Sequence, residues 1–365
     1  MYVVLISSVI ACLLAYSQRY NYKKALLFAF LLICFISCIR CDYGNDYQNY
    51  YNIYQNIISQ PFSLSAIFEE SEPGWILLCY LTKPIGYFGL IAVLSIFQIV
   101  VYYRFICKYV PIREQWLAVL LYLFNPTIWL LQLSMMSQGL AISIFLIAFP
   151  YIERKKWKQA LLLLLLASTF HISALILIPF AFLGVIKVNN QKTLALLLIS
   201  AFIAMFFSSI VLESVFGTVV QLYQFQEYAD YYGTQVTDDV SFGIGFLLQI
   251  VPYAFSIILM FKKKYNHTFL VAGVIYVIAV IILPISSIIP LATRVSYYFE
   301  VFSIITIPYI LSRINNPIVR FFVLFIVLFM LVVNYAEFFS INSIYHDYYI
   351  EYKTIFNSGV TRLYK

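Results

Sequence analysis

Charge is what this sequence has least of: Asp, Glu, Lys and Arg make up 11% of 365 residues, roughly half the share in an ordinary soluble domain. A chain so poor in charge and 63% hydrophobic has too little polar surface for water, which excludes a soluble enzyme and indicates a polytopic membrane protein. Histidine is scarcer still, with three residues. The six cysteines, Cys12, Cys34, Cys38, Cys41, Cys79 and Cys107, lie mostly inside apolar runs without paired spacing, so neither a zinc site nor a disulfide framework is implied. Cys34, Cys38 and Cys41 share one helical face, where buried thiols behave as small hydrophobes. There is no glycine-rich phosphate loop, and no soluble module in which a nucleotide could bind. No internal repeat of fixed period is visible. No cofactor and no metal are expected. The net charge of +7 sits in short loops between apolar runs, where it reports topology rather than a nucleic-acid partner.

What is present is a series of apolar runs, at 2–16, 25–39, 86–106, 115–131, 133–150, 193–212, 243–261, 268–289, 296–312 and 318–336. Several are short for a bilayer of about 30 Å and need flanking aromatics. The first has neither a basic leader nor a small-residue cleavage site, so it is expected to be a retained helix. The fold class expected is an all-α polytopic membrane protein with about 10–12 transmembrane helices. A single transmembrane domain covers 1–336, and 337–365 form a short polar aromatic tail. Lys and Arg cluster at Arg19, Lys23 and Lys24, at Arg104, Lys108 and Arg113, at Arg154, Lys155, Lys156 and Lys158, and at Lys262, Lys263 and Lys264. The positive-inside rule assigns these loops to the cytoplasm and turns loops 40–85 and 213–242 outward. That assignment closes only if the apolar stretch 159–186 enters and leaves on the cytoplasmic side, as two half-helices with His171 at the tip. Such a hairpin is tolerated where its broken backbone is buried in protein or lines a wet cavity. One tilted helix, with a crossing misassigned elsewhere, is the competing reading.

The stretch 40–75 concentrates the polar chemistry. Tyr43, Tyr47, Tyr50, Tyr51 and Tyr54 recur at three- and four-residue spacing beside Asp42 and Asp46, so a helix there carries an aromatic stripe with carboxylate neighbours. That combination suits a sugar-binding surface; an interfacial helix anchored by tyrosines has the same pattern. Pro73 after Glu72 marks the first turn of a helix. Ionisable groups at membrane depth are costly and therefore functional candidates, which singles out Arg40, Asp42, Asp46, Glu72, His171, Arg294 and Glu300. His171 is the only histidine inside an apolar run, and a satisfied structural histidine is its alternative reading. Arg294 can offer a planar fork to a phosphate or carboxylate, or anchor in headgroups. The small residues around Gln138 indicate close helix packing.

In order along the chain, Gly44, Asn45 and Asp46 followed by Tyr50, then Glu72, Pro73, Gly74 and Trp75, then Ser137, Gln138, Gly139, Leu140 and Ala141, then Phe170, His171, Ser173 and Ala174, and last Arg294, Tyr297 and Tyr298 resemble the EpsG family, within the Wzy-type polysaccharide polymerases. The resemblance covers roughly 30–310 and implies a GT-C-like membrane body in a bacterial inner membrane, with its active site on the periplasmic or outer face. It implies transfer of a growing glycan from undecaprenyl diphosphate to a hydroxyl of the next lipid-linked repeat, making O-antigen, capsule or exopolysaccharide. Its partners would be the undecaprenyl-diphosphate-linked oligosaccharide, the lipid bilayer and a chain-length regulator. Asp46, Glu72 and His171 are then the catalytic candidates, and Arg40, Tyr47, Tyr50, Gln138, Ser173, Arg294 and Tyr297 the substrate-binding ones. Where the family pattern carries an arginine before the Gln-x-Leu-Ala segment, this chain has Ser137, which leaves Arg40, Lys83 and Arg294 to supply positive charge. A flippase of lipid-linked oligosaccharide, which commonly shows internal repeats and matched broken helices, and an O-antigen ligase are the alternatives.

Overall fold

The structure, a computed structural model, describes residues 1–20, 22, 24–64, 67, 71–184, 266–285 and 290–357. The expected outward loop 213–242, the runs 193–212 and 243–261, the basic residues 262–264 and the acidic residues Glu69 and Glu70 lie outside the described residues. Most of the described chain is helical, as the apolar runs require. It divides into two units, 1–186 with 331–365, and 187–330.

In the first unit, α1 (Tyr2–Ser17) and α2 (Ala25–Ile39) form a hairpin, followed by a two-residue strand β1 (Arg40–Cys41). The tyrosine ladder folds as α3 (Tyr47–Ser59). Pro73 opens α4 (Pro73–Thr82), and a bend at 83–85, where Gly86 has φ of 71°, leads into α5 (Gly86–Tyr109). The apolar run 115–131 is not one crossing. Asn125 before Pro126 favours extended backbone, so α6 (Gln115–Phe124) ends there and a short α7 (Leu130–Ser134) follows. Then come α8 (Met136–Glu153), α9 (Trp157–Phe170) and a 3-10 helix over Ile172–Phe182.

The two ends of this unit are chemically distinct. At one end the Tyr87 hydroxyl donates to the Tyr47 carbonyl at 2.9 Å and lies near the Met136 sulfur. At the other, the Tyr109 hydroxyl donates to Glu153 Oε2 at 2.9 Å, so α5 and α8 run in the same direction. Tyr87 and Lys108 are separated by roughly 30 Å of helix axis, about the hydrocarbon thickness of a bilayer. The described residues of the polar stretch 40–85 belong to the Tyr87 end. Arg104, Lys108 and Arg154 belong to the other, together with the region where Gln18 donates to Gln115 at 2.8 Å.

The hairpin expected over 159–186 is present. Helix α9 returns to the Tyr87 end, His171 breaks it with extended backbone (φ −149°, ψ 120°), and the 3-10 helix runs back until Phe182 meets Trp157 with ring centroids 5.5 Å apart. The backbone of Gly184 abuts the Ile152 carbonyl. An eleven-residue 3-10 run is unusually long, and such stretches mark strain or a functional hinge.

In the second unit, α10 (His267–Ile285) packs on α11 (Pro290–Glu300) and α12 (Ser303–Arg313). The latter two are bent by 46° at their junction. Asn266 accepts the Phe269 N–H at 2.8 Å and donates its own N–H to the Tyr309 hydroxyl at 3.0 Å, fixing where α10 starts. Helix α13 (Pro317–Phe338) follows. Among the described residues, four helical stretches are long and apolar enough to cross a membrane, or five if the bent pair is one span. The chain is an all-α polytopic membrane protein, with fewer full-length spans among these residues than the apolar runs imply.

The described part of the expected tail, up to residue 357, packs within the first unit. It forms α14 (His346–Tyr349) and β2 (Lys353–Thr354), which pairs antiparallel with β1, Arg40 facing Thr354. The fully buried Tyr349 donates to the Leu130 carbonyl at 3.2 Å, and Lys353 pairs with Asp42 at 3.0 Å.

Candidate functional site

The break after α9 places His171 beside the start of α4. Its Nδ1 is 2.8 Å from Glu72 Oε1 and 3.2 Å from Ser137 Oγ. Glu72 reaches that position because it stands at the N-cap of α4, whose first turn lies against the end of α9: a Cβ on Gly74 would strike Thr169 Oγ1 and sit 3.0 Å from the Thr169 carbonyl oxygen. The same Glu72 oxygen accepts the Ile172 N–H at 3.2 Å, so one carboxylate holds both the imidazole and the backbone that follows it. Ser137, in the first turn of α8, continues the chain to α3: its Oγ is 2.9 Å from the Tyr50 hydroxyl, and its N–H donates to that hydroxyl at 3.3 Å. Trp75 meets Tyr50 edge-on at 5.2 Å and is 3% exposed. Burial pushes the Tyr50 phenol well above its ordinary value; the Ser137 hydrogen bond opposes this and the Glu72 and Asp46 charges reinforce it.

One Nδ1 proton cannot serve two acceptors equally. The shorter contact and the carboxylate charge assign it to Glu72, which leaves Nε2 with its lone pair. Among the described residues Nε2 has no hydrogen-bond partner. An imidazole with Nδ1–H held by a carboxylate and Nε2 unoccupied is arranged to accept a proton at Nε2. His171 side-chain exposure is 8% and that of Glu72 is 22%, so water competes little for either. Among the described residues no group of three or more His, Cys, Asp or Glu side chains gathers as a metal site would require.

The model of the EpsG family matches residues 23–354. The chain belongs to the EpsG family. Membership of the family supports a polysaccharide-polymerase-like role of the glycosyltransferase type, in broad terms, for this EpsG protein. No curated protein and no solved structure matches it.

The other sequence candidates of this EpsG chain are dispersed. Asp46 caps α3 and donates its N–H to Ser134 Oγ at 2.8 Å, near enough to Tyr50 to act on its phenol. Tyr47 is fully buried, its ring 5.4 Å from Tyr87. Tyr51 and Tyr54 meet the same ring at 5.3 and 5.4 Å. Tyr47, Tyr51 and Tyr54 therefore wrap Tyr87, burying apolar ring area, and Tyr43 packs on Tyr349 and Tyr352; Tyr50 alone of the stripe joins the His171 cluster. Arg40, 1% exposed, donates to the Ser37 carbonyl, to Ser95 Oγ at 2.6 Å and to the Leu133 carbonyl at 3.0 Å, tying α2 to α5 and α7. Gln138 is buried beside Ser137, and Ser173 is half-buried two residues past His171. Lys83 donates to the Ile58 carbonyl at 2.7 Å. Arg294 and Tyr297 stand on α11 in the second unit, the first half-buried and the second 5% exposed.

Ser137 and Trp75 carry contacts that sequence reasoning did not assign to the site. Both lay inside motif segments, yet their partners stand far along the chain, Ser137 being 87 positions from Tyr50, and no local period reports such a pairing.

Proposed function

We propose that this EpsG protein polymerises lipid-linked oligosaccharide repeats, moving a growing glycan from its undecaprenyl diphosphate carrier to a hydroxyl of the next lipid-linked repeat, at the outward face of a bacterial inner membrane. The observation that carries the reading is the Glu72–His171 pair at 2.8 Å. In the transfer, the acceptor hydroxyl gives its proton to His171 Nε2 while its oxygen forms the new bond to the anomeric carbon. The bond from that carbon to the diphosphate breaks, and the lipid diphosphate leaves with the electron pair. The imidazolium formed is stabilised by Glu72 and returns its proton to the departing diphosphate or to water. Because the donor brings its own leaving group, no nucleotide site is needed. The half-buried Tyr50 offers an aromatic edge against which a sugar can lie, and Arg294 is proposed for the diphosphate from the resemblance alone. The product would be O-antigen, capsule or exopolysaccharide, with a chain-length regulator as partner.

Deleting the gene and resolving surface glycan by gel electrophoresis tests the class of activity. Loss of a polymerase leaves a single repeat on the final acceptor; that is the expected pattern. No repeat at all would mark a flippase, and full-length polymer stranded on its carrier a ligase, and either pattern would overturn the reading.

A further inference from the structure

At the end of the first unit opposite His171, α5 and α8 line an open cavity of about 580 Å³, within the range of small-ligand sites. Its walls are apolar, formed by Phe97, Val100, Leu146 and Pro150, and its mouth carries Arg104, Lys108 and Arg154. On α5, Val93, Ile96 and Val100 are 42%, 49% and 40% exposed, and at spacings of three and four residues they lead along one helical face to Arg104 and Lys108. That face changes from apolar to cationic over about three turns, in a helix that belongs to a span long enough to cross a membrane.

The charge at the mouth has one sign. None of its three cations is in an ion pair among the described residues. The carboxylate within electrostatic reach of Lys108 is Glu153, which accepts the Tyr109 hydroxyl at 2.9 Å. Cationic side chains at a helix end commonly extend to the headgroups without binding any one lipid. A cavity walled by both helices beneath those cations is what distinguishes this end.

We infer that the α5–α8 groove is a binding site for an anionic phospholipid, its phosphate held by Arg104, Lys108 and Arg154 and one acyl chain lying along Phe97, Val100 and Leu146. A zwitterionic lipid brings a second charge that the three cations repel. The acyl chain is what a soluble phosphate lacks and the groove accommodates. The site stands apart from the His171 cluster and does not depend on the polymerase reading.

The test is native mass spectrometry of the full-length protein released from nanodiscs holding phosphatidylglycerol, phosphatidylcholine and a polyprenyl phosphate in equal amounts. The expected result is retention of phosphatidylglycerol by the wild type, reduced about ten-fold or more in Arg104→Gln/Lys108→Gln/Arg154→Gln. A matched triple, Lys155→Gln/Lys156→Gln/Lys158→Gln, removes the same charge outside the cavity and should retain the lipid. Val100→Trp, which fills the groove and leaves every charge in place, should lose it too; this variant decides the matter if the first triple does not give a monodisperse protein. Equal retention in the two triples, or in Val100→Trp and wild type, would overturn the site. Preference for the polyprenyl phosphate or for phosphatidylcholine would overturn the anionic phospholipid as its occupant.

Discussion

In the proposed reaction His171 accepts a proton, and one neighbour prepares it to do so. Without Glu72 the Nδ1 proton has only the neutral Ser137 Oγ, at 3.2 Å, to hold it, and the lone pair on Nε2 is less firmly directed. The two residues stand in different motif segments, and the adjacent contact from Ile172 to Glu72 already spans 100 positions. The sequence made each visible as a costly ionisable group but gave no sign that they meet, since periodicity reports faces of one helix and not contacts between helices. Arg40 shows the opposite case: it reads as a substrate cation from sequence, yet its guanidinium is taken up by the Ser37 and Leu133 carbonyls and Ser95. Arg294 is the cation the proposed function assigns to the diphosphate. Arg294→Lys keeps the charge and removes the planar fork, so chain extension should fall about ten-fold or more, the scale of one strong charged hydrogen-bond contact. Near-normal glycan lengths at equal membrane levels would reduce Arg294 to a headgroup anchor.

Helix α4 matters at the scale of elements because its first turn carries Glu72 to His171. That turn lies against α9 with no room for a side chain at Gly74, where an added Cβ would strike Thr169 Oγ1 and approach the Thr169 carbonyl to 3.0 Å. Gly74→Ala should therefore lift α4 from α9, cost about 1–3 kcal/mol as overpacking does, and lower glycan chain length by moving Glu72. Melting in detergent and gel analysis of glycan read the two effects. Adding Thr169→Ala removes the side-chain part of the clash and should recover part of both, and failure to recover either would place the cause elsewhere. The Pro73 start of α4, the tyrosine helix α3 and the turn at His171 were all legible, because proline position, aromatic spacing and an interrupted apolar run are local signals. The end of α6 at Asn125 was not read from the sequence, because the long apolar run 115–131 masked the Asn-Pro pair that signals it. The packing of Tyr349 and Lys353 onto the site end was not, since a short polar tail carries no periodic pattern to place it.

The first unit separates its chemistry along its helix axes. Polar and aromatic residues of 40–85 gather at one end of the first unit, and Arg104, Lys108 and Arg154 at the other, as the asymmetry of Lys and Arg along the sequence requires. In a cysteine-free background, single cysteines at Asn49 and Lys156 should react with an impermeant reagent from opposite sides of the membrane. Labelling of both from one side would remove the outward site. Catalysis by the pair at 2.8 Å is the claim on which the account rests, and it is tested most directly by chain extension of a lipid-linked repeat with purified protein, comparing His171→Ala, Glu72→Gln and the double variant. A general base contributes about 10²–10⁴-fold, so His171→Ala should lose activity on that scale. Glu72→Gln should lose a large part of it, and the double variant should be no worse than His171→Ala, because the two residues act as one unit. Full chain lengths from folded His171→Ala protein, or losses that multiply in the double variant, would contradict it.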